Sequence, residues 1–271
     1  MRRFAGRRPF AFSVLVTLAV FGLDLASRAT IPRTPVGNVA KLPQKAFEPP
    51  VGLGLILSDL KSTDTMFWAL ATVLALGLLV WTGWWREAGF NRYSQWRNLR
   101  LLLFPLLVCA LTLSGGVFGS GPASLASAFL TALVAAFGEE MVFRGLLWRA
   151  LVPASPVRAV ILTSLLSGLL VLGRTATDGP WPEAVRLTAL TFCGSFTWGA
   201  LRWRTTSIWT VILIHIVFAF AVGIATLGAV TYPLMMLLST FGFLAYGLYL
   251  LRNPQVRADG GLMKPAPSRV R

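Results

Sequence analysis

Apolar residues fill most of this chain in long runs, and polar residues gather in short segments between them. Eight runs stand out, at 10–27, 66–85, 101–119, 124–143, 159–173, 187–201, 207–227 and 232–251. Each holds about 15–20 residues, close to what a helix rising ~1.5 Å per residue needs to cross ~30 Å of hydrocarbon. The runs at 159–173 and 187–201 are the shortest. No repeat of fixed period is visible, and nothing marks a second globular domain. The pattern predicts an all-α fold: a polytopic transmembrane helical bundle of about eight spans. Residues 1–85 would supply two N-terminal transmembrane helices joined by a proline-rich outside loop at 28–65. Residues 86–251 would form the core of the bundle, and 252–271 a disordered basic tail.

Composition agrees with this pattern. The chain has 271 residues, of which 55% are hydrophobic and only 13% charged, a balance foreign to ordinary soluble domains. The net charge of +15 would suggest nucleic acid in a soluble protein. Here the basic residues lie mainly between apolar runs, so they speak for topology and no nucleic-acid partner is expected. With the N-terminus in the cytoplasm, the inside segments carry 18 Lys and Arg and the outside segments 7. The positive-inside rule then puts both termini in the cytoplasm. The opening stretch also has the look of a signal peptide, but its removal would leave an odd number of spans and spoil this alternation. Cys109 and Cys193 both lie in apolar runs and make no disulfide framework or metal spacing. His215 is the one histidine, so a multi-histidine metal site is excluded for this chain alone and no cofactor is implied.

Charge within a span costs about 2.5–3.5 kcal/mol per residue on insertion scales, so charged residues there have partners and purposes. The candidates away from span ends are Asp24, Glu139, Glu140 and His215. In "FGEEMVFRGLLWR" the adjacent Glu139 and Glu140 point about 100° apart on a helix and cannot do the same work. Glu140 and Arg144 are four apart with the acid first, the favourable order for an ion pair. Glu139 lacks that partner and shares its face with Phe143, a dry setting suited to a general base. The plain structural alternative is a helix end closed by a salt bridge. His215 lies about eight residues, or ~12 Å, into its span. Either it bonds to a backbone carbonyl of another helix, or it meets Glu139 across the bundle at similar depth. Asp24 has no visible partner and suits a structural contact.

These residues carry a resemblance. "EEMVFRG" followed by "GALRWRTTSIWTVILIH" resembles the CPBP intramembrane proteases, which include the endopeptidases that trim prenylated CaaX proteins and bacterial relatives that process bacteriocins or sorting signals. The likeness spans roughly 86–220. Of the family's three motifs, EExxxR is intact as Glu139, Glu140 and Arg144. The FxxxH motif is absent, with Ser167 at the Phe position and Val171 at the His position. The third, a His followed four residues later by Asn or Asp, is half present, with His215 and then Ala219.

The resemblance implies a glutamate-dependent endopeptidase acting on a membrane-associated protein or peptide, in the inner membrane of a bacterium with its site toward the cytoplasmic half. In the family the first Glu and the second-motif His activate water, and the third-motif His and Asn hold the oxyanion. Glu139 and His215 would keep those roles here, with Glu140 and Arg144 in support. Arg174, Ser195 or Thr197 could reach inward in place of the missing groups. The alternatives are a catalytically reduced homologue that binds or escorts a membrane partner, and a transporter subunit. The latter would need polar residues lining several spans, and most have none.

Overall fold

The computed structural model describes residues 2–30, 63–90, 96–117, 121–177, 179–226, 228 and 230–252. Most of the expected outside loop at 28–65, and all but the first residue of the expected tail at 252–271, lie outside the described residues.

The described chain is helical. A short helix α1 (Arg2–Arg7) leads into α2 (Pro9–Thr30), and α3 (Thr63–Thr82) follows. A 3-10 turn, Trp96–Leu102, opens α4 (Leu103–Leu113). Next comes α5 (Pro122–Glu140), which passes through a π-helical segment, Met141–Leu147, into α6 (Trp148–Leu151). Then come α7 (Pro156–Ala176), α8 (Trp181–Thr205) and α9 (Ile208–Ile224). The last limb is α10 (Thr231–Leu237), a second π segment, Leu238–Gly242, and α11 (Phe243–Arg252). The only pairing of extended backbone among the described residues is an isolated bridge between Val117 and Ala225.

Local chemistry explains several boundaries. Pro122, Pro156 and Pro182 stand in the first turns of α5, α7 and α8, where a missing N–H costs nothing. Ser155 caps α7 by accepting the Arg158 N–H at 3.4 Å. Thr206 ends α8 in the left-handed region, with φ 58°, and the chain turns at once into α9.

Among the described residues, five helical stretches are long and apolar enough to cross a membrane: Pro9–Ala29, Asp64–Thr82, Pro122–Leu151, Pro156–Ala176 and Tyr232–Arg252. Asn98–Leu113 and Ile208–Ile224 are apolar but shorter. The outward faces are greasy, with Val73, Val80, Leu103, Leu213 and Phe241 all exposed. The interior holds Asp24, Glu140, Arg144, Ser167, Ser195 and Thr197, all buried. A soluble fold has the opposite arrangement.

Two expectations about span ends need correction. The run at 187–201 is the middle of a 25-residue helix, α8. Thr188, Thr191, Ser195 and Thr197 dilute it, and Glu183, Arg186, Arg202 and Arg204 hid its ends. The run at 124–143 does not end before Arg144. The helical path continues to Leu151, and Arg144 is fully buried rather than a loop charge that bears on orientation.

Packing centres on the π segment. Phe12, Val16 and Val20 of α2, Phe67, Ala71 and Ala75 of α3, and Met141, Val142, Phe143 and Leu146 belong to one buried cluster with Ile208 and Ile212 of α9. Helix α7 lies along α8, and α8 also packs on α11. Helix α5 is held between α3 and α9.

Candidate active site

The site begins at a close helix crossing. A Cβ built on Gly138 would lie 2.8 Å from both the Trp68 carbonyl oxygen and the Thr72 hydroxyl of α3. Only glycine lets α5 approach α3 this closely, and that approach seats the two glutamates that follow deep in the bundle. Beyond Glu140 the helix widens into the π segment, all seven residues of which are buried. Such widened turns carry an extra residue in the helical ladder and recur at functional sites.

Glu140 and Arg144 are both completely buried. Arg144 Nη1 donates to Glu140 Oε1 at 3.3 Å. Arg144 Nη2 donates to the backbone carbonyl and the hydroxyl of Ser195 on α8. On its other side, Glu140 Oε1 lies 2.7 Å from His215 Nδ1 of α9. An ionised carboxylate only accepts, so Nδ1 carries the proton of this bond and Nε2 is left for another partner. The indole of Trp198 stacks on the imidazole, with centroids 5.6 Å apart and planes at 25°, and holds the ring in place.

Glu139 faces a different helix. Its Oε1 accepts the Ser167 hydroxyl of α7 at 2.8 Å and lies 3.8 Å from Arg144 Nη1. Its side chain is 16% exposed, while that of Glu140 is sealed.

The structure thus brings Glu139, Glu140, Arg144 and His215 into one cluster. The Glu140–Arg144 pair stands as the spacing implied. The expected partnership of His215 with Glu139 does not form. The ~100° between adjacent helical residues turns Glu140 toward α9 and leaves Glu139 facing α7. Of the groups that could reach inward, Ser195 serves Arg144, and Thr197 donates to the Phe243 carbonyl. Arg174 goes elsewhere: it bonds to Asp24 at 2.9 Å and Asp64 at 2.5 Å and lies over the Phe67 ring at 4.2 Å. Asp24, seemingly alone in the sequence, is held by Arg28 and Arg174. Ser167 is the residue that sequence reasoning passed over. Its signal was a hydroxyl in an apolar run, at a position where the resemblance expects Phe.

Among the described residues, no group of three or more His, Cys, Asp or Glu side chains is placed to hold a metal ion. Glu140 Oε1 is already shared between Arg144 and His215.

Residues 121–221 match a family model described as Rce1-like, type II CAAX prenyl endopeptidase Rce1-like. This stretch is similar to an Rce1-like domain. It contains every residue of the cluster, from Glu139 on α5 to His215 on α9, and its family is one of proteases within the CPBP group that the motifs resemble. A search of curated proteins and a search of solved structures each returned no match. With its apolar helices, the chain is that of an integral membrane protein.

Proposed function

We propose that this chain is an intramembrane endopeptidase of the CAAX-processing type, hydrolysing a peptide bond of a membrane-associated protein or peptide with Glu139 as general base. The observation that carries this reading is the division of labour between two adjacent carboxylates inside an Rce1-like domain. Glu140 is sealed and committed to Arg144 and His215. Glu139 is partly open, with only a serine hydroxyl within hydrogen-bonding distance among the described residues.

In the proposed reaction Glu139 takes a proton from water as the water oxygen bonds to the scissile carbonyl carbon. The carbonyl π electrons move onto oxygen. When the oxyanion collapses, the C–N bond breaks and Glu139 passes its proton to the departing nitrogen. His215 serves the oxyanion. With Nδ1 bound to Glu140, Nε2 donates only from the imidazolium, the form that brings the Glu139–Glu140–Arg144 cluster to neutrality. A positioned donor of this kind is worth ~10²–10³ in rate. Arg144 contributes by fixing Glu140 and tying α8 to the site. No cofactor is required, and the partners are the substrate and the lipid bilayer.

The wider arrangement is part of the same proposal. Eight spans with both termini in the cytoplasm, and a site in the cytoplasmic half of a bacterial plasma membrane, fit the balance of basic residues. Residues 1–85 would flank a protease core at 86–251, followed by the basic tail. The test is cleavage of prenylated CaaX peptides by the full chain in proteoliposomes. Glu139→Gln keeps shape and should abolish cleavage at unchanged abundance, and His215→Ala should slow it severely.

Val171 and Ala219, apolar at two positions where the family places working groups, favour a second reading as a non-cleaving homologue that binds or escorts a membrane partner. Survival of cellular function in the Glu139→Gln, His215→Ala double variant would replace the enzyme with that reading.

A further inference from the structure

Buried and half-buried hydroxyls in this bundle mostly turn back on their own helices. Ser13, Thr17, Thr72, Thr82, Thr112, Thr188 and Thr205 each donate to the carbonyl four residues earlier. So do Thr163, Ser164 and Thr175 of α7, which is the ordinary way a helix absorbs such a group. Ser167, on the same helix and just as deeply buried, does not. It donates across the helix interface to Glu139 Oε1 at 2.8 Å. A hydroxyl that forgoes the bond available on its own helix is held by its surroundings, and what it holds is the carboxylate to which the base role was assigned above.

We propose that Ser167 is a positioning residue for Glu139, acting from α7 one turn before Val171, the position where the family places the histidine that shares in activating water. Ser167 lies one helical turn before Val171, on the same face of α7. Its bond engages one carboxylate oxygen and sets the rotation of the group, so the other oxygen is the one presented to water. Arg144, 3.8 Å from the same Oε1, reinforces that choice of oxygen. A serine supports only by orientation: it carries no charge and, unlike imidazole, takes no share of the proton that Glu139 removes. The site would therefore run on a single base, with Ser167 touching neither substrate nor water.

This inference deepens the peptidase reading and rests on it for the word base, but the Ser167–Glu139 bond can be read without any substrate. The full chain, carrying carbon-13-labelled glutamate, would be placed in lipid nanodiscs, and the carboxylate stretching bands recorded by infrared difference spectroscopy. Glu139→Gln identifies the Glu139 band by removing it. Ser167→Ala should shift that band, and Ser167→Thr, which keeps the hydroxyl, should leave it near the wild-type position. In parallel, a quenched fluorescent farnesylated CaaX peptide reports turnover. Ser167→Ala should lower kcat roughly 10- to 100-fold, the range of a hydrogen bond to a charged group, with KM and melting temperature unchanged, and Thr should restore most of the loss. A Glu139 band that does not move in a folded Ser167→Ala variant overturns the proposal, as does full kcat in that variant while Glu139→Gln is inactive. A band that shifts while even the wild type leaves the peptide uncut supports the positioning bond and counts against the peptidase reading instead.

Discussion

Replacing Arg144 with alanine tests the centre of this structure. Its side chain is completely buried and binds Glu140 on its own helix and Ser195 on α8. Alanine would leave the Glu140 carboxylate sealed in the bundle with His215 as its one remaining hydrogen-bond partner. Glu140 Oε2 already lacks a partner, so the carboxylate has no reserve of hydrogen bonds. Breaking a buried pair from one side typically costs about 3–5 kcal/mol. Losing that much moves the folded-to-unfolded ratio by roughly 10²–10³ or more and consumes much of a typical domain's stability. Arg144→Ala should therefore fall sharply in membrane abundance and in melting temperature in nanodiscs. The double variant Arg144→Ala, Glu140→Gln removes the stranded charge and should recover part of the loss, with a coupling of about 0.5–3 kcal/mol. Wild-type abundance and melting temperature for Arg144→Ala would refute the argument. So would a double variant whose loss is the plain sum of the two single ones.

Three further outcomes are expected. Gly138→Ala would drive a methyl against the Trp68 carbonyl oxygen and should cost about 1–3 kcal/mol of overpacking, whereas Gly77→Ala, with open space around its Cβ, should be neutral or stabilising by up to ~1 kcal/mol; thermal melts of the two variants check the contrast. Reporter fusions after Arg100 and Arg252 should read as cytoplasmic and one near Ser120 as outside, and a cytoplasmic signal near Ser120 would remove the eight-span topology. Chelator treatment should leave peptide cleavage intact, because a catalytic zinc usually takes three protein ligands and one carboxylate here is already engaged; loss of activity restored by added zinc would contradict this.

Apolar runs showed where the helices are because lipid-facing surfaces must be greasy whatever lies behind them. The Glu140–Arg144 pair was legible because it is local, set by i,i+4 spacing. What hydropathy hid was polar residues inside helices. The ends of α8 read as loops because Glu183, Arg186, Arg202 and Arg204 carry charge, and Arg144 read as a boundary for the same reason. Partners across helices were not legible at all. Which of two adjacent glutamates meets His215 depends on how α5 is rotated against α9. That rotation is set by packing such as the Gly138–Trp68 contact, and no pattern along the chain records it. Asp24 and Arg174 are 150 residues apart, and neither carries a local sign of the other.

The hydrophobic cluster around Met141 and Phe143 draws on Phe12, Val16 and Val20 as well as Phe67 and Ala71, all upstream of the stretch that matches the family model. The boundary of recognisable ancestry and the boundary of autonomous folding therefore do not coincide. Cut free at residue 121, the matched segment would present Phe143 and Arg174 to lipid without the helices that cover and pair them. Minimal versions of this protein for expression or transplantation should keep α2 and α3 even though family comparison gives no reason to.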